Sequence, residues 1–283
     1  MLSEMSAEDA KALMRGMVIP PRPDILLDLE DEQHSSSPDF AKIARLISAD
    51  VALSAAVIKT VNSPFFSLAT RVASVQQALQ LLGLKNLSNI VQGVVLRQVL
   101  SPSTQDDLSI FWASSNSIAM VAAFLSESVH GVSADDAYTL GLFLNCGKPL
   151  MAARFPNYVA AICGEEALSK SQLISNEDQQ YGVSHNVVGY LLARTWYLPS
   201  STSLAILHAH NFEVFKQSAV GDWQSICTLI ALACLAEHIV KLSHNQPEHA
   251  EWPKIELLLR QHLGFDLDEF EDLVDTGQQM LLR

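Results

Sequence analysis

The sequence predicts an all-α protein. Apolar residues recur at helical spacing along almost the whole chain, and no sustained apolar/polar alternation bounded by Asn-Gly or Asp-Gly turns is present. The main breakers, Ile19-Pro20-Pro21-Arg22-Pro23 and Ser63-Pro64, fall between the helical stretches. Apolar residues make up 49% of the 283 positions and charged residues 17%, against about 25% charged in an average domain. Such a chain can fill a large interior, and disorder is excluded for most of its length. An apolar face kept for a partner would leave the same excess.

The elements follow in order. Phe40, Ile43, Ala44 and Ile47 stand at i, i+3, i+4 and i+7 and define one helical face. Leu53, Val57 and Val61 form a second stripe just after Asp50. Asn62-Ser63-Pro64 should stop that helix, because Asn tolerates the left-handed conformation and Pro64 blocks continuation. The same loop could also face a ligand or partner. Ser74 with Gln77 has the form of a capping box, so a helix is expected to start there, run through Leu82 and close at Gly83. Ile90, Val91, Val94 and Val95 carry the pattern into the next helix.

The polar stretch Ser101-Pro102-Ser103-Thr104-Gln105-Asp106-Asp107 divides an N-terminal helical subdomain, 1–105, from a longer helical bundle with C-terminal helices, 106–283. The longest apolar run, Ile226 to Ala236, is far shorter than the roughly 18 residues of a spanning helix and reads as a buried helix. From Trp252 to Arg283 the pattern is again amphipathic, with Ile255, Leu258 and Leu259, then Phe270 and Leu273.

Charge and cysteine usage limit the function. The formal net charge is −13, a sign that repels phosphate backbones and anionic membrane surfaces, and no Lys/Arg cluster opposes it. Neither nucleic acid nor membrane is an expected partner. The N-terminus carries acids where a signal peptide carries an apolar core, so a cytoplasmic location is expected. Cys146, Cys163, Cys227 and Cys234 form no C-x-x-C pair and sit among apolar neighbours, as small buried hydrophobes do in a reducing compartment. No structural zinc and no disulfide framework is expected.

Familiar catalytic signatures are missing. Gly141 to Gly147-Lys148 imitates a phosphate loop, but five residues separate the glycines and Pro149 stands at the metal-binding hydroxyl position. His185, His208 and His210 fall in one region with Glu177 and Glu213 the nearest carboxylates in sequence. A metal site is one reading of them. Buried or interface histidines bonded to helix ends are the other, and the scarcity of carboxylates favours it. Gly189 inside a helical pattern costs about 1 kcal/mol relative to alanine, which suggests close helix packing there. Trp196 reads as a packing anchor or an interface residue.

Taken together, Pro20-Pro21-Arg22-Pro23, Ile47-Ser48-Ala49-Asp50, Asn62-Ser63, Ser74, Ala78 and Leu82-Gly83 resemble the HDOD family. Gly141-Leu142-Phe143, Gly147-Lys148, His185, Gly189, Trp196, Leu198-Pro199, Ala205-Ile206 and His208 continue the resemblance in family order. It covers roughly Val18 to Phe212 and departs at Val51, where the family usually has proline. It implies an HD-like helical bundle with an N-terminal helical subdomain packed against it, related to HD-domain metal-dependent phosphohydrolases.

In those hydrolases a His-Asp dyad binds the metal. By the resemblance, Leu144 stands at the histidine position and Asn145 at the aspartate position, and leucine cannot coordinate. The upstream ligand position falls near Ala113, Ser114 and Ser115, and the late one at Cys234. The expectation is therefore a chain with no catalytic residues, no metal and no cofactor, acting as a bacterial signal-transduction module by contact with other signalling proteins, with self-association left open. Asn62, Ser63, Lys148, His185, Trp196, His208 and His210 are the candidate ligand or partner residues. Two alternatives stay open: a phosphohydrolase using His185, His208 and His210, and a nucleotide sensor in which Lys148 and Arg154 meet a phosphate.

Overall fold

The structure is a computed structural model. It describes residues 17–63, 66, 68, 70–101, 109–163, 170–217, 221–246 and 251–282, with only the backbone of 109, 110, 162, 163, 170 and 217. Pro64, most of the polar stretch at 101–107, the N-terminal segment 1–16 and the Cys163 side chain lie outside the described residues. Every regular element among the described residues is helical. The chain divides into two compact units, one of Pro21–Thr104 with Met280–Arg283 and the other of Met1–Pro20 with Gln105–Gln279.

The smaller unit holds α1 (Asp24–His34), α2 (Phe40–Ala49), α3 (Val51–Val61) and α4 (Val75–Leu100). Aspartates set its helix starts. Asp39 accepts a hydrogen bond from the Lys42 amide, and Asp50, which ends α2, accepts one from the Leu53 amide at 3.0 Å to open α3. Ser74 caps α4 through the Gln77 amide at 3.1 Å, while Gln77 Oε1 accepts from the Ala73 amide. Gly83 interrupts α4 with φ 78° and ψ 168°, a conformation that a side chain would strain, so the helix resumes beyond it in a new direction. Ile43, Ile47, Leu53, Val57 and Val61 are buried as their spacing predicts. Phe40 is 53% exposed, because it is the first residue of α2 and lies beyond the covered part of the stripe.

Asn62 departs from the expected conformation. Its φ is −82°, outside the left-handed region. Its side chain instead takes backbone-like bonds: Nδ2 donates to the carbonyls of Ile58 and Val72, and Oδ1 accepts from the Val72 amide at 2.8 Å. The amide therefore clips the end of α3 to the segment that leads into α4.

The larger unit holds α5 (Ser109–Ser126), α6 (Ala134–Phe143), α7 (Gly147–Arg154), α8 (Tyr158–Cys163), α9 (Lys170–Tyr181), α10 (His185–Thr195) and α11 (Ser200–His208). A 3-10 turn at Phe212–Gln217 follows, then α12 (Trp223–Ser243), α13 (Trp252–Leu263) and α14 (Leu267–Leu282). The apolar run sits in α12, which packs against α5, α6, α11 and α13. By length and composition α12 could cross a bilayer, but 83% of its most apolar window is buried inside the protein. Within the C-terminal stripe Ile255, Leu259 and Phe270 are buried and Leu258 and Leu273 half-buried.

The two-sided role of Asp50 gives a direct check on this architecture. Asp50→Ala should lower stability by about 1 kcal/mol through loss of the α3 cap, seen as a shifted midpoint in a urea titration followed by circular dichroism.

Candidate functional site

The site is built where α7, α8, α9 and α10 meet. Gly147 begins α7, and a Cβ placed on it would lie 2.0 Å from the carbonyl oxygen of His185. Only glycine lets the two helix starts approach so closely. The segment Leu144-Asn145-Cys146 that precedes Gly147 is thereby held against α10. Leu144 is 3% exposed and Asn145 6% exposed, and the Cys146 thiol points at the Gly189 carbonyl at 3.9 Å. Burial pushes the Cys146 thiol well up, and the Cys227 thiol up to about 11, so neither supplies a thiolate nucleophile near neutral pH.

His185, the first residue of α10, is fully buried. Its Nδ1 lies 2.7 Å and 2.9 Å from the two carboxylate oxygens of Glu177, and its backbone amide donates to Glu177 Oε2 at 2.9 Å. Tyr158 of α8 donates its hydroxyl to Glu177 Oε1 at 2.5 Å. The carboxylate thus caps α10 from a neighbouring helix, since Ser184 at the N-cap position makes no side-chain cap bond. Negative charge at a helix N-terminus adds favourable dipole interaction.

The electrostatics follow from that geometry. Burial alone would raise the Glu177 carboxyl, but the hydrogen bonds and proximity of His185 and Tyr158 outweigh it and hold it below its ordinary value. Burial lowers His185 below the usual imidazole range, against the pull of Glu177. Lys148 lowers it further, while Glu237 of α12 works the other way. The pair is an ionised Glu177 with a neutral His185 whose proton sits on Nδ1, and Nε2 has no hydrogen-bond partner among the described residues.

Of the three histidines grouped in sequence, His185 and His210 come together, with ring centroids 5.4 Å apart. His208, at the end of α11, lies against Trp223 at 5.6 Å, and burial lowers its pKa. Glu213 is exposed and pairs with Lys216, so it contributes nothing here. Lys148 is half-buried, and Arg154 lies over the Phe155 ring at 5.3 Å. Trp196 is fully buried, edge-on to Phe143, and its indole N–H donates to the Pro20 carbonyl at 3.0 Å. It acts in packing. Asn62 and Ser63 belong to the smaller unit. Tyr158 carried no signal in the sequence: its tie to Glu177 spans 19 positions and exists only once α8 and α9 are folded together.

A metal of the HD type does not fit these residues. Leu144 and Asn145, which the resemblance sets at the dyad positions, are buried, Ser115 is buried with its hydroxyl on the Phe111 carbonyl, and Cys234 is buried on α12. Among the described residues no group of three or more His, Cys, Asp or Glu side chains could hold a metal ion.

A family model for the HDOD domain matches residues 19–212. The chain belongs to the HDOD family. An "Uncharacterized protein" of Treponema pallidum (strain Nichols) is 27% identical over 216 residues, which are 76% of this chain and 41% of that relative. The HDOD chain therefore spans about two fifths of the length of that relative. The crystal structure of an HDOD domain protein of unknown function from Geobacter sulfurreducens superposes with a TM-score of 0.72 at 22% identity, covering 96% of this chain and 93% of the other. A "Putative phosphohydrolase" from Shewanella amazonensis SB2B superposes with a TM-score of 0.70 at 22% identity, covering 95% and 96%. At these identities the likeness establishes the fold, an all-α HD-like arrangement.

The buried histidines make stability depend on pH. His185 and His208 resist protonation in the folded chain, whereas the unfolded chain takes up protons near the ordinary histidine value of 6.5. Stability is therefore complete above that value and falls as pH drops through it. Glu177, held below its ordinary 4.5, adds a further loss at still lower pH. Stability should therefore fall between about pH 7.5 and about pH 5.5, measured by urea titration at each pH, and His185→Gln should remove part of the loss.

Proposed function

We propose that this HDOD protein is a non-catalytic signal-transduction module of the bacterial cytoplasm that works by contact with other proteins. The observation that supports the reading is the burial of Leu144 and Asn145, which by the family resemblance stand where HD hydrolases keep their His-Asp dyad. Signalling is what membership of the HDOD family implies. A net charge of −13 works against nucleic acid and anionic membranes as partners and leaves proteins, a second copy of the chain included, as the natural ones.

Hydrolysis is the reading to beat, since a structural neighbour carries the name "Putative phosphohydrolase". It would need His185, His208 and His210 as an atypical ligand set. The His208 ring lies tilted against Trp223 while His185 and His210 face each other, which speaks against their acting as one.

The test incubates the purified chain with nucleotides and cyclic dinucleotides in Mg²⁺ or Mn²⁺, beside a His185→Ala variant, and measures bound metal by plasma mass spectrometry. The expected result is turnover no greater than that of the variant and metal far below one ion per chain. Metal-dependent turnover that vanishes in His185→Ala overturns the proposal in favour of the hydrolase. A rise in Tm with a nucleotide but no turnover would instead mark a sensing pocket.

A further inference from the structure

Helix α9 is docked in an unusual way. Of its described side chains, Ser171 to Tyr181, the one that is fully buried is Glu177, at 2% exposure. Leu173, Ile174 and Tyr181 are half-buried, and the rest of the helix is largely exposed. Tyr181, at its end, touches the Phe155 and Tyr158 rings at 4.7 and 5.6 Å. Surface helices normally dock through a broad apolar stripe. Here a carboxylate takes the central place, accepting the Tyr158 hydroxyl, the His185 Nδ1–H and the His185 amide.

We propose that α9 is a releasable cover over the buried His185 site, latched by the Glu177 carboxylate and opened by acid. The latch has three donors aimed at one acceptor, and an added proton has no good place in it. On Glu177 it turns one of the two carboxylate oxygens from acceptor into donor, which sets that oxygen against the Tyr158 O–H or the His185 N–H groups it had served. On His185 it makes a buried Nε2–H that meets no acceptor among the described residues. The surrounding charges do not relieve this. Lys148 on α7 opposes a second positive charge, Glu237 on α12 favours it, partial burial and the nearby Glu177 raise the Asp178 carboxyl on α9 above its ordinary value, and His210 faces the His185 ring. Undocking returns the carboxylate and imidazole to water and releases both constraints. Gly182, with φ +75° at the end of α9 and nothing packed at its Cβ position, is the turn about which α9 would leave the start of α10.

Hydrogen exchange of the full chain, read by mass spectrometry and corrected for the intrinsic effect of pH, tests the latch. The peptide covering 170–181 is followed against that of α12, near pH 7.5 and near pH 5.5. In the wild type, α9 should open more readily than α12 at both pH values, and its opening should rise at least about tenfold at the lower pH, while α12 responds only through the global loss of stability. Glu177→Gln should show the acid-like opening already at the higher pH, with little further response. Tyr158→Phe, which keeps the carboxylate and loses one donor, should fall between the two. The proposal is overturned if α9 exchanges only together with α12, or if its opening is the same at both pH values. It is also overturned if Tyr158→Phe leaves the opening unchanged, a test that stands even where Glu177→Gln does not fold.

Discussion

The carboxylate of Glu177 organises the meeting point of α7, α8, α9 and α10. A buried charge is tolerated only when donors surround it, and Glu177 has three, drawn from two other helices. That requirement fixes more than one element. It orients the His185 ring, sets which nitrogen carries the proton, ends the need for a cap at Ser184, and ties α8, α9 and α10 at one point. The approach of Gly147 to the His185 carbonyl then holds α7 on the same point. The carboxylate joins three helices, α8, α9 and α10, and the Gly147 approach adds a fourth.

This arrangement joins the helices by hydrogen bonds to one buried charge. A metal centre would cross-link helices through ligand bonds. Here Leu144 contributes apolar burial and the Tyr158–Glu177–His185 bonds supply the connections among helices. The histidine is kept neutral, a structural donor on one side only. Such a centre stabilises the bundle at neutral pH and weakens in acid, opposite to a site whose binding groups are exposed to solvent and indifferent to burial.

The fold was legible in the sequence where the physics is local. Helical spacing found the stripes of α2 and α3, and Ser74, Gln77 and Gly83 marked the start and the break of α4, since caps and glycine conformations depend on a few neighbouring residues. The buried character of α12 followed from its composition. The stripe misled at Phe40, whose exposure depends on how far a neighbouring helix extends. Asn62 misled for a similar reason: its amide is satisfied by Val72, ten positions away, and a long-range bond of that kind leaves no trace in local spacing.

The site divides the same way. The sequence shows that Leu144 cannot bind a metal, because that is a property of the residue type; its place at a dyad position is what the family resemblance implies. Sequence also determined that the chain is helical, acidic and rich in buried apolar residues. The tertiary structure decided which polar groups meet: His210 approaches His185 while His208 turns to Trp223, Glu177 is chosen over Glu213, and Tyr158 joins from α8. The reason is physical. A helix former or a missing ligand is a property of a residue and its neighbours, whereas a hydrogen-bond partner for a buried charge is a property of the space into which distant segments fold.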